Sequence, residues 1–258
     1  MERLSGVPLD VQWCKCLSVY KCYIKESKKE GVIGETLVSP IKGLNKYFGI
    51  HIFIQMSHNL DAIFYINLDK REDRRAEIEL EFKKMNLTAE RFSAIEHPPP
   101  NGIVGCGKSH LAVIKLAKER GYKNVLILED DFIFVVDKSE FETSLNKLFE
   151  SNAKFDVCFI SYNLLEEQES DISFLKRAKF SNTASGYIVN SHYYDAIINL
   201  YEWSVPLLES TCQHWIYAND QVWRDLQEKD KWYCLLPRLG IQSDGFSDNS
   251  QRFIARGV

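Results

Sequence analysis

From residue 62 onward, short unbroken apolar runs alternate with amphipathic stretches, and that alternation predicts the elements. Ala62 to Asn67 (Ala-Ile-Phe-Tyr-Ile-Asn) reads as a buried strand, because it lacks the in-out alternation of a half-solvated one. Leu68 to Asn86 reads as a helix with Ile78, Phe82 and Met85 on one face. Arg91 to Ile95 reads as a short strand, and Pro98-Pro99-Pro100 enforces an extended loop. A helix is predicted from Lys108 to Arg120, stopped by Gly121. The apolar run from Val125 is the next buried strand, followed by a short one over Phe132 to Val136. Asp137 is placed to cap a helix running through Glu150. Further strands are predicted at Phe155 to Ser161, Ser185 to Asn190 and Trp232 to Leu236, with helices over Ser191 to Trp203 and Asp220 to Asp230. Strands and helices alternating at these lengths imply an α/β sandwich around a mostly parallel sheet, in one domain over residues 59–258. Residues 1–58 show no clean period and read as a poorly defined amino-terminal extension with no assigned chemistry.

The strand at Val125 breaks into three consecutive carboxylates, Glu129-Asp130-Asp131. Acids at the carboxyl end of such a strand stand where open α/β sheets keep their ligands. Three adjacent negative charges repel one another, a cost that a bound cation would offset. The plainer reading is a strand running into an acidic surface turn. Upstream, Gly102 to Ser109 (Gly-Ile-Val-Gly-Cys-Gly-Lys-Ser) matches the phosphate-cradling pattern G-x-x-x-x-G-K-[ST] and raises the alternative of a P-loop ATPase or kinase. Such a loop needs a buried strand running into its first glycine, and Glu96-His97-Pro98-Pro99-Pro100-Asn101 cannot supply one.

Composition narrows the field. A chain of 258 residues with 45% hydrophobic and 26% charged residues can bury one substantial core and is ordinary for a soluble globular protein. A net charge of −4 gives no overall attraction to nucleic acid. No apolar stretch reaches the roughly 18 residues that span a bilayer. Met1-Glu2-Arg3 is followed by no apolar segment of the secretory kind. The seven cysteines are odd in number and scattered, so reduced thiols and a cytoplasmic location are expected. Cys14, Cys16 and Cys22 cluster but lack a second pair at zinc spacing.

Six segments then fall in a recognisable order. They are Tyr65-Ile66-Asn67-Leu68-Asp69 with Asp73-Arg74-Arg75, Gly105-Cys106-x-x-Ser109-His110, Leu128-Glu129-Asp130-Asp131, Thr183-Ala184-Ser185-Gly186-Tyr187-Ile188, Asn219-Asp220, and Gln242 with Ser247-Asp248. In this order the chain, from about Ala62 to Asn249, resembles glycosyltransferase family 25. That family includes bacterial lipooligosaccharide galactosyltransferases and animal procollagen galactosyltransferases. Two departures stand out: Ala218-Asn219 replaces a usual proline before the aspartate matched by Asp220, and Gly107-Lys108 is less bulky than the family pattern.

The resemblance implies a GT-A-like nucleotide-sugar-binding sandwich and an inverting hexosyltransferase. The donor would be a UDP-sugar, most often UDP-galactose with glucose as the alternative. The cofactor would be Mn²⁺ or Mg²⁺, and the acceptor a glycan, a lipooligosaccharide or hydroxylysine on a collagen-like chain. It assigns Asp131 and Glu129 to the metal and Asp130 to the donor sugar or ribose; on an extended strand 129 and 131 face one way and 130 the other. Asn67 and Leu68 would meet the nucleotide. Arg74 would bind pyrophosphate or a structural carboxylate, whereas Arg71 and Arg75 read as a solvated helix face paired with Glu77, Glu79 and Glu81. Ser109 and His110 would open a helix and offer amides to an anion, with a packed histidine as the alternative. Asp220 is the expected base for the acceptor hydroxyl, or else a helix cap or first-turn acid; Asp248 and Asp244 stand in reserve. Lys108 is expected to be an exposed charge, Cys106 a small packed residue, and Tyr187, Trp203, Trp215 and Trp223 core side chains. A transferase-like fold that has become an inactive carbohydrate-binding module is a further alternative.

Overall fold

The computed structural model describes residues 60–98, 101–151, 153–248 and 252–254. The expected extension over 1–58, with its three cysteines, lies outside the described residues, as do Pro99 and Pro100. The elements in order are β1 (Ala62–Asn67), α1 (Glu72–Met85), β2 (Glu90–Ser93), α2 (Gly102–Glu119), β3 (Asn124–Glu129), β4 (Phe132–Phe134) and α3 (Lys138–Glu150). They continue with β5 (Val157–Gln168), β6 (Leu175–Asn190), α4 (Tyr194–Thr211), α5 (His214–Tyr217), α6 (Asn219–Val222), α7 (Arg224–Lys229), β7 (Trp232–Leu235), β8 (Gly240–Gln242), β9 (Gly245–Ser247) and β10 (Arg252–Ile254).

Six strands form the central sheet in the order β2-β1-β3-β6-β5-β7. β1 pairs parallel with β2 and β3, and β5 with β7, while β6 runs antiparallel to β3 and β5. Five strands therefore share one direction, the mostly parallel α/β sandwich that the alternating pattern implies. Successive residues of β3 serve opposite faces of the sheet. Val125 and Ile127 pack with Val113 and Ile114 of α2 and Ile197 and Tyr201 of α4. Leu126 and Leu128 pack with Ile78 and Phe82 of α1 and Phe141 and Leu145 of α3. This period turns Glu129, the last residue of the strand, toward α2.

Where the elements depart from expectation, tertiary packing has overridden local propensity. Helix α2 starts at Gly102, not near Lys108, although glycine is a poor helix former. The glycines let the helix approach its neighbours: a Cβ on Gly105 would lie 2.3 Å from the Ile95 carbonyl oxygen. The Gly102–Ser109 segment is therefore helix and not a phosphate-cradling loop. Lys108 Nζ pairs with Glu209 at 2.8 Å. Strands β5 and β6 extend well past their apolar runs as a ribbon of polar residues, which a reading based on hydrophobicity truncates. The expected Asp220–Asp230 helix is split into α6 and α7, and α4 continues past Trp203 to Thr211. Asp137 caps α3 as expected, its Oδ1 accepting from the Glu140 amide. Among the described residues no helix is long and apolar enough to cross a membrane.

Candidate active site

The carboxyl ends of β1 and β3 lie side by side, with Ile66 in register with Glu129. Glu129 ends β3, and Asp130 and Asp131 form the turn that follows. Glu129 leans toward α2, where its Oε1 lies 3.2 Å from His110 Nε2 and 3.5 Å from Cys106 Sγ. Asp130 leans toward α1: Arg74 Nη1 donates to its Oδ1 at 3.0 Å, and Asn67 Nδ2 to its Oδ2 at 2.7 Å. Asp131 is buried at 6% exposure and, like Asp130, lies near Arg74 of α1. The Gln242 carboxamide on β8 donates to Glu129 Oε2 at 3.1 Å and lies 3.3 and 3.4 Å from the two Asp131 oxygens. Two carboxylates thus converge on one amide nitrogen, while Arg74 spans Asp130 and, at 3.5 Å, Asp131. Burial pushes the Asp130 carboxyl above its ordinary range, opposed by the Asn67 hydrogen bond and the Arg74 charge.

Two clefts meet at this cluster. The first, the acidic cleft, is lined by Leu68, Lys70, Arg74, His97, all three acids and Asp248. The β9–β10 hairpin is tied beside it: Arg74 Nη2 donates to the Phe246 carbonyl at 2.7 Å, and Arg71 bonds Asp248 and the same carbonyl. Lys70 stands 3.9 Å from Asp248. The second, the amide cleft, is lined by Asn163, Asn182, Thr183, Asn219, Asp220 and Arg238. Cys106, Glu129 and Gln242 line both.

In the amide cleft, Asp220 Oδ2 accepts from the Thr183 amide at 3.2 Å. Burial raises its carboxyl above the ordinary aspartate value, with the nearby Glu129 charge adding in the same direction. Thr183 reaches this position at φ +74°, a left-handed conformation that a β-branched residue rarely adopts and that concentrates at functional sites. Its hydroxyl donates to Gln242 Oε1 at 2.7 Å, so one residue holds both Asp220 and the amide clamping the acids. Asp220 is not the cap of α6, a position held by Ala218, but it is an acid in the first turn of that helix, as the alternative to a base expects.

Several expected sites sit differently. Ser109 and His110 lie two turns inside α2 and cannot offer free terminal amides. The Ser109 hydroxyl instead donates to the Gly105 carbonyl and accepts from the Ile95 amide, and His110, at 0% exposure, bridges Glu129 and Tyr187. Asn67, at 1% exposure, orients Asp130 and accepts from Arg91; Leu68, not Asn67, faces the acidic cleft. Asp248 lies in the acidic cleft, apart from the amide cleft that holds Asp220. Arg71 is no solvated pair for the α1 glutamates but a tie to Asp248, whereas Arg75 does pair with Glu79. Trp223 and Tyr187 are core, but Trp203 and Trp215 are 56% and 62% exposed. Gln242 and Thr183 were legible only as members of ordered motifs; nothing in residue type marked them. Cys106 faces Glu129, and burial followed by the Glu129 charge holds its thiol well above the usual range, protonated and not nucleophilic.

No protein-family model matches the chain. The resemblance read from the six motifs recurs as similarity to two curated proteins, each described as a glycosyltransferase 25 family member. The one from Drosophila melanogaster is 25% identical over 162 residues, covering 51% of this chain and 26% of that protein. The one from Drosophila pseudoobscura pseudoobscura is 26% identical over the same length and shares. The match therefore spans about a quarter of those relatives. Among solved structures, a glycosyltransferase involved in glycosylation of the major capsid of PBCV-1 superposes at TM-score 0.44 and 9% identity, covering 71% of this chain and 94% of that one. The A197 protein from STIV superposes at 0.41 and 12%, covering 76% and 94%. These scores mark a loose likeness and carry no argument about chemistry.

Proposed function

We propose that this chain is a metal-dependent, inverting glycosyltransferase of family 25. It would move a hexose, galactose before glucose, from a UDP-sugar to a hydroxyl of a glycan, lipooligosaccharide or hydroxylysine acceptor. The observation that carries the reading is the meeting of two chemically unlike clefts at Glu129 and Gln242. Glu129 and Asp131 offer convergent carboxylate oxygens, the donor set that hard divalent cations take, with Asp130 alongside. Mn²⁺ or Mg²⁺ held there would offset the negative charge of a diphosphate. Leu68 and Lys70 border the space for the nucleotide and its phosphates, and Arg74 keeps Asp130 and Asp131 in place.

Asp220 accepts the acceptor hydroxyl's proton at its carboxylate. Burial makes it more basic than an exposed aspartate, which suits general-base work near neutral pH. The Thr183 amide fixes its orientation and leaves it facing the amide cleft, where Asn163 and Asn182 offer hydrogen bonds to sugar hydroxyls. Asp248, tied to Arg71, serves to hold the β9–β10 hairpin beside the acidic cleft. The test is a donor screen by mass spectrometry, with each UDP-sugar, Mn²⁺ and an acceptor panel. Release of UDP with a hexosylated product is expected. Tight UDP binding without turnover of any donor would reassign the chain as an inactive binding module.

A further inference from the structure

At the junction of the clefts, three side chains with metal-ligand chemistry face one another. Cys106 and His110 lie four residues apart on one face of α2, and Glu129 meets them from the end of β3. One donor atom from each lies within 4.8 Å of the other two. Two of the three edges already have the spacing of a tetrahedral shell. Zn–S bonds of about 2.3 Å and Zn–N or Zn–O bonds of about 2.0–2.1 Å place sulfur about 3.5 Å from oxygen and nitrogen about 3.3 Å from it. Here Sγ to Oε1 is 3.5 Å and Nε2 to Oε1 is 3.2 Å.

We infer that Cys106, His110 and Glu129 form a three-ligand site for a thiophilic divalent cation of the zinc class, with its fourth position open to the two clefts. A sulfur–nitrogen–oxygen set suits zinc and is poor for Mg²⁺ or Mn²⁺, which prefer oxygen alone. The thiolate and carboxylate together cancel the charge of the ion, and binding releases the thiol proton to solvent. The outer contacts are already built. Tyr187 OH lies 2.7 Å from His110 Nδ1, so that once the ring proton moves to Nδ1 the phenol oxygen accepts it and Nε2 presents its lone pair. Asn219 Nδ2 reaches Cys106 Sγ at 3.6 Å, a hydrogen bond that supports thiolate. Because Cys106 and Glu129 line both clefts, an ion has an entry path. Occupancy would withdraw Glu129 from the acid cluster, making this an inhibitory position for the proposed reaction. The site itself stands on binding geometry and does not depend on that reaction.

The test is titration of the full chain with Co²⁺, the spectroscopic stand-in for zinc, in a thiol-free reductant. A thiolate-to-cobalt charge-transfer band is expected, saturating at one equivalent and competed away by Zn²⁺. Cys106→Ser keeps the other six of the seven cysteines and should abolish that band. Glu129→Gln keeps every cysteine and should weaken Co²⁺ binding at least about 10-fold, and Tyr187→Phe about 10–100-fold. Absence of the band in wild type, its persistence at full strength in Cys106→Ser, or unchanged Co²⁺ affinity in Glu129→Gln would each overturn the assignment.

Discussion

The acidic cleft and the amide cleft share a wall but surround their carboxylates with different partners. In the first, cations stand beside most of the acids, Arg74 at Asp130 and Asp131, Arg71 and Lys70 at Asp248, while Glu129 meets His110, Cys106 and Gln242. In the second, Asp220 is held by neutral donors, the Thr183 amide and the Gln221 carboxamide, and is buried enough to be pushed toward its protonated form. A carboxylate that must hold charged ligands is best kept ionised and oriented. One that must accept a proton gains from desolvation. The contrast supports the roles proposed for these residues, which residue type alone does not separate.

The largest expected effect is on the amide side. Asp220→Asn should lower kcat by about 10²–10⁴-fold, as loss of a general base does. It should not lower Tm at neutral pH, because it removes a carboxylate whose charged form the fold disfavours. In wild type the working base is the ionised form, so kcat/KM is present above the raised Asp220 value and is lost as pH falls through it. That acidic limb should lie above the ordinary aspartate value of about 3.9. A limb at the ordinary value, or an unchanged profile in the variant, would dissolve the contrast between the clefts. On the acidic side, Asp131→Asn should cost about 10²–10³-fold in turnover, the scale of losing one preorganised electrostatic contact. Gln242→Ala should cost about 10–100-fold, because it loosens Glu129, Asp131 and Thr183 without removing a charge. A loss equal to that of Asp131→Asn would mean the carboxamide itself contacts substrate. The smallest effect on chemistry is expected for Gly105→Ala, which overpacks α2 against the Ile95 carbonyl. About 1–3 kcal/mol of stability should be lost in a denaturant titration, with kcat nearly intact.

Much of the sheet was legible because β1, β3 and β7 are continuous apolar runs, and burial on both faces demands that pattern. The period of two separated Glu129 from Asp130 but did not place Asp131, which lies in the turn and meets Arg74 as Asp130 does. The start of α2 was not, because a glycine-rich segment becomes helical only when close packing against Ile95 and His97 makes small residues necessary. Nor was the role of Arg71: its side chain leaves the α1 glutamates for Asp248, nearly the whole described chain away, and no local pattern reports that contact. Asn67 shows the same limit. Its type suggested a ligand, and its burial makes it a brace for Asp130.

The central claim is that the acid cluster binds a uridine diphosphate through a hard cation. Calorimetric titration of UDP into wild type and Asp131→Asn, each with Mn²⁺ and then with chelator, tests it most directly. The account predicts saturable UDP binding to wild type with Mn²⁺, weaker by at least about 10-fold after chelation or in the variant. Equal UDP affinity in all four titrations would contradict it.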